Sequence, residues 1–383
     1  MKKLFCALIA CAMLLSMAAM AEELTDVTVI LDYVPNTNHT GMYVALERGY
    51  YAEAGLNVTI IEPTEGATNT LVAVGRGDFG VSYQEDVTVI LDYVPNTNHT
   101  GMYVALERGY YADAGLNVEI IEPTEGATNT LVAVGRGDFG VSYQEDVTVA
   151  RTLDEPLPIR AIATLIQHNT SGFVSWVGKD ITSVADFEGK TYAGWGGPGE
   201  EAVLRAVMEA EGLDFSTLNM VISDGSGFTA LEGDVDIEWF FEAWDNVTCA
   251  LNGFEINYMP VRDLDERLDY YTPVLITNED MIANHPETVR AFLAATQKGY
   301  LDAIADPAGC AEILNKYAPD YSIEMLTMSQ EYLADKFMED TDRWGEMKQS
   351  VWDNYTDFMV EYGVIENSID AAELYTNDFL PEA

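Results

Sequence analysis

The chain predicts an α/β protein of two lobes, each built on a parallel sheet, with a ligand cleft between them. Three observations predict this. Short β-branched runs alternate with helical stretches in the order that parallel sheets require. A polar segment, Gln167–Gly172, joins two strand-like runs as a crossover between lobes would. From Pro286 the chain is mostly helical in pattern, with Pro286, Pro307 and Pro319 near helix starts or breaks.

The N-terminal part of the chain says one thing twice. Asp26–Glu85 recur as Asp86–Glu145 at an offset of 60, and only Glu53/Asp113 and Thr59/Glu119 differ. Solenoid repeats share core positions and drift elsewhere, whereas here surface residues match as well. Asp-Val-Thr-Val opens both copies and occurs a third time at Asp146–Val149, before the chain departs into Ala150. Unequal exchange between short identical tracts would give this arrangement. A parallel sheet has one slot per strand, so one copy is surplus. The second copy runs directly into Asp146 and is expected to fill the first lobe, leaving Asp26–Glu85 as an appended βαβαβ unit with bare strand edges.

Within the second copy the elements read in order. Val87–Leu91 is a β-branched run, and Gly101–Gly115 is helical with Met102, Ala105 and Leu106 on one face. Asn117–Ile121 alternates as a strand. Ala127–Val134 reads as a helix stopped by Gly135 and Gly137, and Asp138–Tyr143 as a third strand. Ile159–Ile166 and Phe173–Val177 flank the first crossover. Tyr192–Trp195, Met220–Ile222 and Asp236–Trp239 are further strands, Glu200–Glu211 a helix, and Tyr271–Ile276 the return crossover. The expected divisions are a targeting segment over 1–21, the appended unit over 26–85, the first lobe over 86–168, the second over 169–272, and a return to the first lobe with C-terminal helices over 273–383.

The N-terminus reads as a cleaved signal. Lys2 and Lys3 precede an apolar run from Leu4 to Leu15, and Ala19-Met20-Ala21 is a small-x-small site, with cleavage after Ala21. This implies export to a periplasm or cell envelope. Leu8-Ile9-Ala10-Cys11 offers lipid attachment at Cys11 as the alternative. Cys249 and Cys310 remain, as a pair or as two small buried hydrophobes. With 64 acids against 19 bases, the net charge of −45 argues against nucleic acid or an anionic membrane surface as a partner.

Four segments could carry chemistry. Pro95–Gly101 joins a strand to a helix, and Asn96, Asn98 and their neighbours either hold a polar ligand or cap the helix. Tyr143-Gln144-Glu145 suits a planar ring with amino groups: the ring stacks, the amide donates and accepts, the carboxylate accepts. The alternative is an ordinary strand end. Trp195–Glu201, with Gly196, Gly197, Glu200 and Glu201, lets backbone approach a ligand or simply starts a helix, and its acids argue against phosphate. Trp239–Asp245 is a stacking wall, with Trp239 and Trp244, or an aromatic core. His39, His99, His168 and His285 are the only histidines, no zinc spacing or nucleophile elbow occurs, and no metal site or cofactor is expected.

Leu91–Ala105 with Gly109-Tyr110-Tyr111, Asp138–Glu145, Gly194–Glu201 and Asp236–Trp244 form four ordered blocks. Together they resemble the ThiY-like solute-binding proteins of ABC importers, relatives of the eukaryotic enzymes that make the thiamine pyrimidine. The resemblance implies a periplasmic-binding-protein fold that clamps a small planar nitrogen heterocycle and delivers it to a membrane permease. It implies a thiamine pyrimidine precursor as ligand, with riboflavin as the alternative. It places Asn96, Asn98 and His99 at the cleft from the first lobe and Tyr143 and Glu145 against the ring. The Trp195–Glu201 turn and Trp244 would close from the second lobe. A monomer is expected, with a swapped dimer available through the repeated unit. The enzyme branch uses a pyridoxal-phosphate lysine, its own histidine and a cysteine-rich motif. Neither repeat contains lysine and no cysteine cluster occurs, so binding rather than catalysis is expected. A ligand sensor or adhesin is the third class.

Overall fold

The computed structural model describes residues 24–63, 68–81, 84–123 and 127–382. The residues read as a signal segment, the expected cleavage after Ala21 and Cys11 lie outside the described residues. Two compact units divide between Gln84 and Glu85. The first holds β1 (Thr25–Ile30), β2 (Leu56–Ile61) and β3 (Phe79–Gly80) as an all-parallel sheet ordered β2-β1-β3.

The second unit contains two five-stranded sheets. Its first lobe uses β4 (Glu85–Ile90), β5 (Leu116–Ile121), β6 (Phe139–Ser142) and β7 (Ile159–Thr164). The second lobe uses β8 (Ser171–Trp176), β9 (Thr191–Gly194), β10 (Asn219–Ile222), β11 (Ile237–Phe241) and β12 (Ile256–Pro260). The chain then returns to the first lobe as β13 (Val274–Asn278). The orders are β5-β4-β6-β13-β7 and β10-β9-β11-β8-β12. Strands linked by helices run parallel, β4 with β5 and β6, and β9 with β10 and β11. The pairings of β13 with β6 and β7, and of β8 with β11 and β12, are antiparallel, so each lobe is mixed.

Burial explains the strand sequences. In β4, Val87 and Val89 are buried against the helical layer, and β13 is buried along its length, as a central strand covered on both faces must be. Helix Pro286–Ala305 covers the first lobe. Phe292 stacks on Phe139 at 3.9 Å between ring centres, and the Tyr111 hydroxyl bonds Thr296 at 2.9 Å. Gly101 is required here, because a Cβ on it would run into the Tyr300 ring. In the second lobe Phe173 meets Phe187, Tyr192 and Trp239 edge-on.

Four local expectations need correction. The helix read over Gly101–Gly115 is two, Thr100–Glu107 and Tyr110–Asp113, because Gly109 adopts φ 75° between them. The third strand ends at Ser142, and Gln144–Arg151 is a helix, so Glu145 sits in a helical first turn. The return crossover precedes Val274, and most of Tyr271–Ile276 belongs to the approach and start of β13. The C-terminal helices do not close on the first lobe alone. Helix Gln349–Glu361 puts Trp352 into the first lobe and Tyr355, Phe358 and Met359 into the second lobe's core. Cys249 and Cys310 are both free and buried.

Candidate ligand-binding cleft

The cleft begins at the C-terminal ends of β4 and β6, where open α/β sheets place ligands. The chain leaves β4 through Leu91 and Asp92. Asn96 caps the turn beyond them: its Oδ1 accepts from the Asn98 amide at 3.0 Å and its side-chain amide donates to the Val94 carbonyl. The Asn96 backbone amide donates to His99 Nδ1 at 3.2 Å, which leaves Nε2 carrying the proton that it donates to Asp92 Oδ1 at 2.7 Å. Tyr143, at the end of β6, donates its hydroxyl to the other Asp92 oxygen at 2.6 Å. Burial alone would raise the Asp92 carboxyl, but His99 and the Tyr143 hydroxyl outweigh it and hold the pKa below the ordinary value. Asp92 is therefore a fixed anion on the cleft wall.

Two cavities meet at this wall. One, of about 490 Å³, is lined by Asp92, Tyr93, Asn96, Asn98 and Tyr143 from the first lobe and by Phe241, Trp244 and Asp245 from the second, with Tyr321 beside them. The other, of about 400 Å³, is lined by Tyr143, Glu145 and Asp146, and by Trp195, Trp239 and Tyr270. Tyr143, Phe241 and Thr272 border both. Trp195 and Trp239 stand edge to face at 5.3 Å, and Trp244 meets Tyr321 in the same way at 4.8 Å. Trp239 is 9% exposed, and its buried indole Nε1 has no partner among the described residues.

The carboxylates of the second cavity are poised differently from Asp92. Burial, together with the nearby Asp146 and Glu200, pushes Glu145 up to about 7, although the Tyr355 hydroxyl donates to it at 3.1 Å. Glu145 reaches across the lobes to helix Pro198–Ala210, where a Cβ on Gly199 would collide with its carboxylate. The glycine-rich turn thus admits a carboxylate from the opposite lobe. In the first cavity, burial pushes Asp245 up to about 6 despite the Phe241 amide that donates to it at 2.8 Å. Among the described residues, no Lys, Arg, His or Cys lines either cavity. The walls can stack flat rings and accept N–H protons, and they present no cationic side chain to an anion.

The residues singled out from the sequence separate into two groups. Asn96, Asn98, Tyr143, Glu145, Trp195, Trp239 and Trp244 line the cavities. The others do not line them. His99 orients Asp92. Gln144 is fully buried, holding the Val351 carbonyl and the Tyr271 amide. Glu200 accepts from the Tyr192 hydroxyl at 2.5 Å and from the Trp195 and Gly196 amides, so it organises the turn from beneath. Gly197 precedes the helix as its N-cap, and Glu201 pairs with Arg205 one turn on. Sequence reading assigned no role to Asp92, Tyr270, Thr272 or Tyr321, and Asp245 entered only as the last residue of the Trp239–Asp245 segment. Asp92 had a usable signal, an acid directly after a strand at its ligand-binding end. Tyr321 comes from the C-terminal helical region and had none.

The fold is that of periplasmic binding proteins. The structure resembles a putative periplasmic sulfonate-binding protein from Methylobacillus flagellatus, with TM-score 0.58, 18% identity, and coverage of 78% of this chain and 93% of that one. It also resembles a ligand-binding component of an ABC-type import system from Staphylococcus aureus, with TM-score 0.57, 14% identity, and coverage of 77% and 98%. The chain belongs to the NMT1/THI5-like family, which matches residues 36–92 and 96–310. It is 26% identical to a formylaminopyrimidine-binding protein of Halalkalibacterium halodurans, over 76% of this chain and 90% of that one. It is 24% identical to a riboflavin-binding protein of Chloroflexus aurantiacus, over 78% and 86%. A Legionella pneumophila 4-amino-5-hydroxymethyl-2-methylpyrimidine phosphate synthase is 23% identical over 79% and 94%.

Proposed function

We propose that this protein is the extracytoplasmic binding component of an ABC importer and that it captures an unphosphorylated aminopyrimidine of the thiamine-precursor class for a membrane permease. The observation that carries this reading is the wall chemistry. Asp92, Glu145, Asp146 and Asp245 face the cavities among aromatic side chains, without a lysine or arginine among the described residues. Such a site stabilises a flat ring that donates N–H groups or carries a proton, and it repels phosphate. Trp195 and Trp239 give the second cavity aromatic surface for such a ring. The formylaminopyrimidine-binding relative supports the same ligand class.

A second reading, riboflavin, is favoured by one feature: the two cavities are neighbours that share Tyr143, Phe241 and Thr272 as lining, so a longer molecule would have a second space beside the first. Catalysis has less support, since among the described residues no lysine or cysteine lines the cavities and His99 is committed to Asp92 and Asn96. The lobes would close on the ligand about the two crossovers and helix Gln349–Glu361.

Thermal stabilisation against formylaminopyrimidine, hydroxymethylpyrimidine, its phosphate ester and riboflavin tests the reading. A ligand at 100 times its dissociation constant adds about 2.7 kcal/mol. Stabilisation by an unphosphorylated pyrimidine is expected. A response to riboflavin alone moves the assignment to flavins, and preference for the phosphate ester refutes the electrostatic reading.

A further inference from the structure

The two repeats are almost the same sequence in different surroundings. Helix Thr100–Glu107 of the second repeat is covered by helix Pro286–Ala305, while its twin Thr40–Glu47 is bare: Val104 is fully buried and Val44 is 39% exposed. Phe139 on β6 is fully buried beneath Phe292, whereas Phe79 on β3 is 61% exposed. Among the described residues, the first unit's sheet has no strand beside β3 to match β13 beside β6.

Every group that the second repeat offers to its cover is present in the first. Tyr111 bonds Thr296, Tyr110 and Arg108 meet Asp302, and Glu107 takes Lys316 and Tyr317. Tyr51, Tyr50, Arg48 and Glu47 are their counterparts. A groove of about 320 Å³ in the first repeat, lined by Tyr43, Val44 and Glu47, lies where Tyr103 stacks on Tyr317 in the second. The site chemistry is also set in advance, with His39 on Asp32 at 2.6 Å as His99 is on Asp92 at 2.7 Å. Both differing positions, Glu53/Asp113 and Thr59/Glu119, are exposed in both copies, so they give neither repeat a packing advantage.

The connection already shows both conformations. Gly80–Val89 and Gly140–Val149 are the same ten residues. In the first, Glu85–Val89 lie in strand β4, and in the second, Gln144–Val149 lie in a helix.

We propose that the bare face of the first repeat is a docking surface for this chain's own strand Val274–Asn278 and helix Pro286–Ala305, so that Asp26–Glu85 can replace Asp86–Glu145 as the first lobe. In the exchanged form Asp86–Val89 turn helical, Asp32 and Glu85 take the places of Asp92 and Glu145, and roughly 60 residues of the second repeat are extruded as a loop. The observed arrangement is the favoured one because its surplus copy is N-terminal and closes no loop. The exchanged form is held in reserve for a chain whose second repeat is damaged.

Hydrogen exchange of the full chain tests this, because the two differing positions give Tyr51–Ile61 and Tyr111–Ile121 distinct peptides. Gly101→Val drives a side chain into the Tyr300 ring, while Gly41 has nothing within 4 Å of an added Cβ. The expectation for Gly101→Val is reciprocal. Leu116–Ile121 loses protection and Leu56–Ile61 gains it, each by about tenfold or more in exchange rate. Gly41→Val alone leaves the wild-type pattern, and the double variant leaves both segments unprotected. Loss at Leu116–Ile121 without gain at Leu56–Ile61 overturns the proposal. So does a Gly101→Val chain with unchanged protection in both segments, or a double variant that behaves as Gly101→Val does.

Discussion

Replacing Glu145 by Gln removes a charge that the cleft holds at a cost. Burial beside Asp146 and Glu200 raises its pKa from the ordinary 4.5 to about 7. Between these values the folded chain holds a proton that the unfolded chain has released. Stability contributed by this group is therefore full below pH 4.5, declines as pH rises, and is lost above about 7. The difference corresponds to roughly 3 kcal/mol. Gln keeps an oxygen for the Tyr355 hydroxyl and remains neutral, so Glu145→Gln should stabilise the protein by about 1–3 kcal/mol at pH 8 and by little at pH 4.5. Thermal unfolding of both proteins across this range measures the effect as a few degrees of Tm. The wild type carries a net charge of −45, so its own curve falls with pH for other reasons, and the difference between the two proteins is the informative quantity. Curves that stay parallel from pH 4.5 to 8 would refute the reasoning, because Glu145 would then be as well solvated in the fold as in the unfolded chain.

Further outcomes are expected. Phe139→Ala should cost about 3–5 kcal/mol in the main unfolding transition, and the same change at Phe79 should stay within about 0.5 kcal/mol, since one ring is fully buried and its twin is 61% exposed. Asp92→Asn should cost about 1.5–3 kcal/mol at pH 7, because the charge-assisted bonds from His99 and Tyr143 are lost, and the deficit should shrink as acid protonates the wild-type carboxyl. Chemical denaturation at pH 7 and pH 3 measures both. Trp239→Phe should cost about 1–3 kcal/mol in unfolding, because the shortened ring leaves a gap beside Phe173 and Trp195, and should weaken ligand binding severalfold, because the indole lines the second cavity. Calorimetric titration separates those two effects.

The sequence was most legible where local pattern and tertiary role agree. The βαβ alternation of Val87–Ile121 carries its own strand and helix periods, and the crossover at Gln167–Gly172 announces itself by polarity between apolar runs. Aromatic lining residues such as Trp195 and Trp244 were found because a flat ligand needs stacking faces. Legibility failed where identical residues have different neighbours. Nothing local distinguishes Asp86–Val89, a strand, from Asp146–Val149, a helix; the difference comes from the residues downstream of each and from the elements packed on top. The same limit explains His99, Gln144 and Glu200. Each is a polar residue beside a cleft, and only the fold shows that its hydrogen bonds point inward to Asp92, Tyr271 and the Trp195 turn. Tyr321 lines the cleft, and Tyr355 of helix Gln349–Glu361 bonds Glu145, from far along the chain and beyond the range of any periodicity.

Selectivity of the cleft is the central claim, and one titration reaches it. Calorimetry of the full chain with formylaminopyrimidine and with the phosphate ester of hydroxymethylpyrimidine should show the uncharged ligand bound at least about tenfold more tightly, a difference of about 1.4 kcal/mol. The preference should fall when Glu145 is replaced by Gln. Tighter binding of the ester, or a preference indifferent to Glu145, would contradict a cleft that selects its ligand by carboxylates and aromatic faces.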